Sequence, residues 1–235
     1  MMTPLVQTPE AITLLGGGGF APPDLQLALS LAPVLVAADG GADAALAAGH
    51  LPRAVIGDFD SVSPATLAAI PPDRLHRIDE QDSTDFGKCL RSVAAPFLIA
   101  VGFTGARFDH ALAAMSALVR HPWQSCVILG AEEVIFLAPP RLSLPLAAGT
   151  RVSLFPMGPV RGESRGLRWP IDGIDFAPAG RIGTSNEATG PVELTVEGPM
   201  LVLLPRDLLV PALAALSAGR RAAAPDGPAS AARGG

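Results

Sequence analysis

Val34-Leu35-Val36-Ala37-Ala38-Asp39-Gly40-Gly41-Ala42-Asp43-Ala44-Ala45-Leu46-Ala47-Ala48 (VLVAADGGADAALAA) is the stretch on which the fold turns. It opens with an unbroken apolar run, the pattern of a strand buried on both faces. Asp39-Gly40-Gly41 ends that run, and an alanine-rich helical pattern follows from Ala42 to Ala48. Strand, tight glycine turn and helix in that order make half of a βαβ unit.

The same grammar recurs on either side. Ile12–Leu15, Ala54–Ile56, Leu75–Ile78, Phe97–Val101, Val127–Leu129 and Val134–Leu137 read as further strands. Helical patterns fall at Pro23–Leu31, Pro64–Ile70, Thr84–Ala94 and His110–Val119. The fold class is therefore α/β, with an N-terminal Rossmann-like parallel sheet and flanking helices. The rhythm changes at Pro139-Pro140. Short runs at Arg151–Phe155, Leu167–Trp169, Val192–Val196 and Met200–Leu204 follow, punctuated by Gly and Pro. They predict a C-terminal antiparallel β-sandwich, closed by a helix at Asp207–Leu216. The expected units are 1–138 (α/β), 139–217 (sandwich) and 218–235, a disordered tail rich in Ala, Gly, Pro and Arg.

Composition narrows the function classes. The 235 residues are 49% hydrophobic and 17% charged, with a net charge of −5. That balance suits a folded protein and disfavours a nucleic-acid binder, which needs a basic face. No apolar run approaches the ~18 residues of a membrane span, and no basic-then-apolar leader opens the chain, so a cytoplasmic protein is expected. Cys89 and Cys126 form no C-x-x-C pair and read as reduced, buried thiols. Of the 17 basic residues only Lys88 is a lysine, and it lies inside an acidic cluster where a compact point charge is useful.

That cluster carries the chemistry. In Gly57-Asp58-Phe59-Asp60-Ser61, two carboxylates spaced by one residue project the same way from a strand end. They call for a hard cation between them, or else the segment is a polar turn. In Gln81-Asp82-Ser83-Thr84-Asp85-Phe86-Gly87-Lys88, Asp82 reads as a helix N-cap, with Asp85 and Lys88 one turn apart. Gly102-Phe103-Thr104-Gly105-Ala106-Arg107-Phe108-Asp109-His110 offers backbone N–H groups, an arginine fork and another carboxylate; Asp109 could also serve only as an N-cap. Asp39, Asp58, Asp60, Asp82, Asp85 and Asp109 all fall at the carboxyl ends of strands or the helix starts beyond, which share one rim in a parallel sheet. Mg²⁺ bridging those carboxylates to a polyphosphate, with Lys88 and Arg107 neutralising the rest, relieves the repulsion. Gly16-x-Gly18-x-x-Ala21 mimics a dinucleotide fingerprint, but Pro22-Pro23 delays the helix and a nicotinamide site has no use for the aspartates.

Together, Ala38–Ala42 (ADGGA), Gly57–Ser61 (GDFDS), Asp82–Lys88 (DSTDFGK), Gly105–His110 (GARFDH) and Thr184–Glu187 (TSNE) resemble the thiamine pyrophosphokinase family, in the family's order. The resemblance implies transfer of the β,γ-diphosphoryl group of ATP to the hydroxyl of thiamine, giving thiamine diphosphate and AMP. It implies a homodimer with thiamine bound between subunits. Asp58, Asp60, Asp85 and Asp109 match Mg²⁺ ligands; these four with Asp82, Lys88 and Arg107 form the catalytic set, Asp82 or Asp85 taking the hydroxyl proton. Gly17, Gly18, Asp39, Gly40, Gly41, Lys88, Gly102, Thr104, Gly105, Arg107 and His110 match the ATP site. Gln81, Trp169, Ser185 and Asn186 match the thiamine site. Ala106 stands where family members often have glycine, and the glycine-rich stretch after the SN pair is reduced to Ala188-Thr189-Gly190. The alternatives are a pyrophosphokinase for another hydroxymethyl heterocycle such as a pterin, or a non-enzymatic Mg-nucleotide-binding module.

Overall fold

Alternate residues of the central strands face opposite layers, and both layers are apolar. Ile12, Leu14, Leu98 and Ala100 join one buried cluster, while Leu15, Ile99 and Val101 join another. A strand apolar on both sides needs helices above and below it. The computed structural model supplies them. It describes residues 3–105 and 107–223; residues 1–2, Ala106 and 224–235 lie outside the described residues.

The chain runs β1 (Val6–Gln7), β2 (Ile12–Leu15), α1 (Pro22–Leu31), β3 (Val34–Ala38), α2 (Gly41–Ala47), β4 (Ala54–Gly57), α3 (Pro64–Ala69) and β5 (Leu75–Arg77). It continues through α4 (Asp85–Ser92), β6 (Val93–Ala94), β7 (Leu98–Val101), α5 (Phe108–Arg120), β8 (Cys126–Leu129) and β9 (Glu133–Leu137). β10 (Arg141–Leu144), β11 (Arg151–Pro156), β12 (Arg161–Leu167), β13 (Gly183–Glu197), β14 (Met200–Pro205) and α6 (Leu209–Ala223) follow. Phe86, Leu90, Ala114 and Leu118 of α4 and α5 cover one face of the sheet; Leu25 and Ala28 of α1 and Leu213 and Leu216 of α6 cover the other.

Strands β5-β4-β3-β2-β7-β8 are parallel. From β2 the chain first builds outward to β5, then returns to add β7 and β8 on the other side, so the topology switches between β2 and β7. Such a switch opens a crevice at the carboxyl ends of the strands. Beyond β8 the sheet continues antiparallel through β9, β14, β11 and β13. Only Gly130, Ala131 and Glu132 link β8 to β9, too few for a parallel crossover, so β9 turns back as a hairpin.

β13 belongs to two layers. Its Gly183–Glu187 end pairs with β11, and its Val192–Glu197 end pairs with β10 and β12. Inward residues of both layers (Val152, Leu154 and Val202; Leu142, Val192 and Leu194) meet in one cluster.

Four local expectations change. Val134–Leu137 is the antiparallel hinge of the sheet rather than a parallel strand. The strand expected at Leu167–Trp169 is instead β12, ending at Leu167; it hid because its inward positions are Gly162, Ser164 and Gly166. Those glycines are required, since a Cβ on Gly162 or Gly166 would sit 2.3 Å from the Thr195 carbonyl oxygen or 2.0 Å from that of Pro191. Thr84, not Asp82, caps α4, its Oγ1 accepting from the Gly87 N–H at 3.2 Å. The closing helix runs on to Ala223, past the expected end at Leu216 and into the segment read as tail.

Candidate active site

Three loops meet at the switch point, and glycines let them touch. A Cβ on Gly41 would lie 2.0 Å from the Leu15 carbonyl oxygen, and one on Gly18 would lie 2.6 Å from that of Gly102. Gly105 packs as closely on the backbone of Gly19. Gly16–Gly19, Asp39–Gly41 and Gly102–Gly105 thus form a floor of main chain, with Gly17 and Gly19 exposed on it.

Beside that floor lies an acidic group. One carboxylate oxygen each from Asp39, Asp58 and Asp60 come within 4.8 Å of one another, forming a set able to hold a metal ion. Asp39 is buried and shapes the set. Its Oδ1 accepts the Phe59 N–H at 2.7 Å and its Oδ2 accepts the Ser61 N–H at 3.0 Å. The GDFDS turn therefore curls around the Asp39 carboxylate, with Phe59 at φ 67° and Asp39 itself at φ 45°. Burial, together with Asp85 nearby, raises the Asp39 pKa despite those two N–H donors. Hard oxygen donors this close fit a divalent cation, which would remove the repulsion among them.

Asp58 is tied into the neighbouring helix start. Its Oδ2 accepts from Gln81 Nε2 at 2.9 Å and from Lys88 Nζ at 3.2 Å. Lys88 also donates to Asp85 Oδ1 at 3.0 Å. Burial works against the charge of Asp58, yet the bonds from Gln81 and Lys88 outweigh it and hold the carboxyl below its usual range. The polar-turn reading is also present in part, because Asp58 Oδ1 accepts a long 3.4 Å bond from the Asp60 N–H.

Lys88 is only 2% exposed. Burial opposes its charge, but the bonds to Asp85 and Asp58 prevail and raise its pKa. It is a fixed counter-charge among the carboxylates rather than a free arm toward phosphate, because α4 places it one turn beyond Asp85 and facing the core.

Other expected residues lie apart. Asp109 is outside the carboxylate group. Arg107 grips it through Nε at 3.2 Å and Nη2 at 2.6 Å, and both side chains are about two-thirds exposed (68% and 65%). That fork holds the Asp109 carboxyl below its usual range. Two residues at the entry to α5 reach each other more readily than the metal set, so Asp109 is not brought to it. Asp82 and His110 are exposed, and Thr104 is half-buried near the switch point.

Trp169, Ser185 and Asn186 lie on the antiparallel side, around a cleft of about 270 Å³ walled also by Phe176, Ile182 and Arg181. Asn186 lies within β13. It pins Trp169 by accepting the Trp169 N–H at 3.2 Å and donating to the Trp169 carbonyl at 2.7 Å. Trp169 is 54% exposed, with the Arg168 guanidinium 5.0 Å from its ring centre. Ser185 sits at φ 60° in a bulge against Ser153, whose Oγ accepts the Ser185 N–H.

Two contacts escaped the sequence reading. One is the Asp39 grip on a turn twenty residues away. The other is Arg206, which donates to Asp24 Oδ1 at 2.6 Å and so ties the end of β14 to the start of α1. Neither leaves a local pattern. Among the described residues, no helix is long and apolar enough to cross a membrane. Cys89 and Cys126 are buried and unpaired, their thiol pKa values raised by burial.

Similarity to known proteins follows the same division. Residues 25–129 match the family model "Thiamin pyrophosphokinase, catalytic domain", and residues 141–201 match "Thiamin pyrophosphokinase, vitamin B1 binding domain". Thiamine pyrophosphokinase 1 of Oryza sativa subsp. japonica is 29% identical over 159 residues, which is 58% of this chain and only 59% of that protein. Thiamin pyrophosphokinase from Candida albicans superposes with a TM-score of 0.69 at 15% identity, covering 85% of this chain and 92% of that one. The yeast enzyme gives 0.67 at 19% identity, with 86% and 89% covered; at such identities these two speak for the fold. With a carboxylate-lined switch point in the first matched segment and the Trp169 cleft in the second, the chain belongs to the thiamin pyrophosphokinase family.

Proposed function

We propose that this protein transfers the β,γ-diphosphoryl group of ATP to the hydroxyl of thiamine, releasing AMP. The observation that carries the reading is the convergence of Asp39, Asp58 and Asp60 beside a main-chain floor at the switch point, with Asp85 joined to them through Lys88. Such transfer needs in-line positioning and neutralised charge more than covalent chemistry. Asp58 and Asp60, with Asp39 and Asp85 beside them, would hold Mg²⁺. When bound, that ion supplies charge neutralisation on the polyphosphate. The Gly16–Gly19 and Gly102–Gly105 backbones cradle the nucleotide. Arg107 can leave Asp109 for a phosphate oxygen, because a solvent-exposed ion pair is worth only about 0–1 kcal/mol. Lys88 keeps the carboxylates from repelling one another.

The thiamine side of the reading is carried by Trp169, pinned by Asn186. Within one chain that cleft is remote from the carboxylates. Passing from β4 to β13 crosses eight strand spacings (β4-β3-β2-β7-β8-β9-β14-β11-β13), or about 38 Å along the sheet at ~4.8 Å each. A second copy that laid its cleft over the first copy's carboxylates would close the gap. The reading therefore includes a homodimer, with 1–138 serving the nucleotide and 139–217 serving thiamine and the partner.

Incubation with Mg-ATP and either thiamine or a hydroxymethyl pterin, followed by assay of AMP and the diphosphate ester, tests it. Thiamine diphosphate and AMP in equal amounts is the expected result. Pterin diphosphate, or nucleotide binding without AMP, would replace the reading. Asp58→Ala and Asp60→Ala should each lower turnover by about 10³-fold or more with the fold retained by circular dichroism. Near-normal turnover in both would remove the metal assignment.

A further inference from the structure

Arg206 follows β14 directly and makes three bonds to segments remote from it in sequence. Its Nη2 donates to Asp24 Oδ1 at 2.6 Å, and its Nη1 donates to the Ala131 carbonyl at 2.9 Å. Its main-chain N–H donates to the Glu132 carbonyl at 3.1 Å. Asp24 lies in the first turn of α1 and is only 5% exposed. A carboxylate so buried needs a cation beside it, and Arg206 is that cation. The other oxygen of Asp24 accepts the Ala21 N–H at 3.0 Å. Ala21 closes the loop that begins at Gly16, so the guanidinium holds the end of that loop through a single carboxylate.

The second arm of the guanidinium serves the facing loop. The Gly130 N–H donates to the Glu133 carbonyl at 2.8 Å and closes the turn that carries Ala131. A Cβ on Gly130 would lie 3.3 Å from Thr104 Oγ1, so that turn is seated against the Gly102–Gly105 loop. Between the two loops themselves, the Gly18 N–H donates to the Gly102 carbonyl at 3.0 Å. Glycine main chain is the least restrained of all and brings no side chain to lock it. The spacing of two such loops must then be set from their flanks, and Arg206 joins one flank to the other.

We propose that Arg206 is a positioning residue for the nucleotide: by bridging Asp24 and the Ala131 carbonyl, its guanidinium sets the spacing of the Gly16–Gly19 and Gly102–Gly105 backbones that cradle the polyphosphate. The inference rests on the nucleotide side of the reading above and goes further by naming what holds the cradle in shape. Arg206 acts through the Ala21 N–H on one side and the Gly130–Glu132 turn on the other. Without the guanidinium, Asp24 is a buried charge with no counter-ion and turns toward water. In turning it releases the Ala21 N–H, and the Gly16–Gly19 loop loses its anchor. The Trp169 cleft shares none of these contacts, so thiamine binding should not follow.

The test is calorimetric titration of the full chain with Mg-ATP and, separately, with thiamine, at a temperature where circular dichroism shows each variant folded. Arg206→Met keeps the length of the side chain and removes the charge. Its Kd for Mg-ATP should rise about ten-fold, as for a cradle in its binding shape about a tenth of the time. Its Kd for thiamine should stay within about two-fold of wild type, since no contact of Arg206 reaches that cleft. Adding Asp24→Asn removes the stranded charge and keeps an acceptor for the Ala21 N–H, so the double variant should recover part of the Mg-ATP affinity. If Arg206→Met does not fold, Arg206→Lys carries the test. Lysine keeps a charge for Asp24 but lacks the fork that also reaches Ala131, and its Kd for Mg-ATP should rise about three-fold. A Kd for Mg-ATP within about two-fold of wild type in the folded variants would overturn the proposal. So would equal losses for Mg-ATP and thiamine, which mark a merely structural role, or a double variant no better than Arg206→Met. If wild type binds Mg-ATP but makes no thiamine diphosphate, the proposed transfer fails by itself, and the weaker binding of Arg206→Met still sustains the positioning role. If wild type binds no Mg-ATP, Arg206 has nothing to position and the proposal is overturned.

Discussion

Asp39, Phe59 and Ser185 are the non-glycine residues at positive φ among the described residues, and each lies in a segment of the candidate site. Left-handed backbone at such residues costs on the order of 1–3 kcal/mol each and persists where the surroundings enforce it. For Phe59 the enforcement is visible, since its N–H must reach Asp39. Ser185 has no such grip on its side chain, and only its N–H is held, by Ser153. Ser185→Gly is therefore expected to raise stability by up to about 1 kcal/mol in urea unfolding while weakening thiamine binding. Lower stability in that variant would show that the bulge is not strained. At this scale, residues whose partners lie a few positions away were legible: Asp58 with Asp60, and Asp85 with Lys88. The Asp39 grip was not, because nothing near residue 39 records an N–H at residue 59 or 61.

The elements hold one another through polar contacts as well as apolar faces. Asp43 on α2 accepts the Ser63 N–H at 3.0 Å, the Ser63 hydroxyl at 2.5 Å and the Thr66 hydroxyl at 2.6 Å, fixing the capped start of α3. Burial opposes its charge, but the bonds from Ser63 and Thr66 outweigh it and lower its pKa. A folded-state pKa below the unfolded value of about 3.9 means the contribution is complete above that value and is lost as pH falls through the folded one. Asp43→Asn replaces one carboxylate oxygen with an NH2, so the Ser63 N–H and the Ser63 and Thr66 hydroxyls no longer all find an acceptor, and should cost about 1–3 kcal/mol at pH 7. The gap from wild type, measured by urea unfolding, should narrow at pH 3; a gap that stays constant would mean the Asp43 charge plays no part. Elements were legible where their apolar pattern is continuous, as in β2, β3 and β7. β12 was not, because its inner face is glycine and serine and so carries no hydrophobic period to detect.

At the scale of the molecule, the eight strand spacings between β4 and β13 make a specific demand. If each site draws on two copies, a chain damaged only at Asp58 and another damaged only at Asn186 can complement each other. Random pairing of Asp58→Ala with Asn186→Ala puts about half the chains into mixed dimers with one intact site of two, restoring about a quarter of wild-type activity. No recovery after verified subunit exchange would mean that each chain completes its own site. The passage from a parallel sheet with helices to antiparallel strands was readable from the change of rhythm along the chain; the hydrogen-bonded path joining them was not, because strand pairing joins residues remote in sequence. β9 lies on the N-terminal side of Pro139-Pro140, yet its outer edge is zipped to β14 from Leu137 against Leu201 to Glu133 against Pro205. Severing the polypeptide at the prolines would strip both pieces of their mate, leaving raw apolar borders that recruit any passing strand. What sequence similarity divides into two modules is, mechanically, a single fabric with no place to cut.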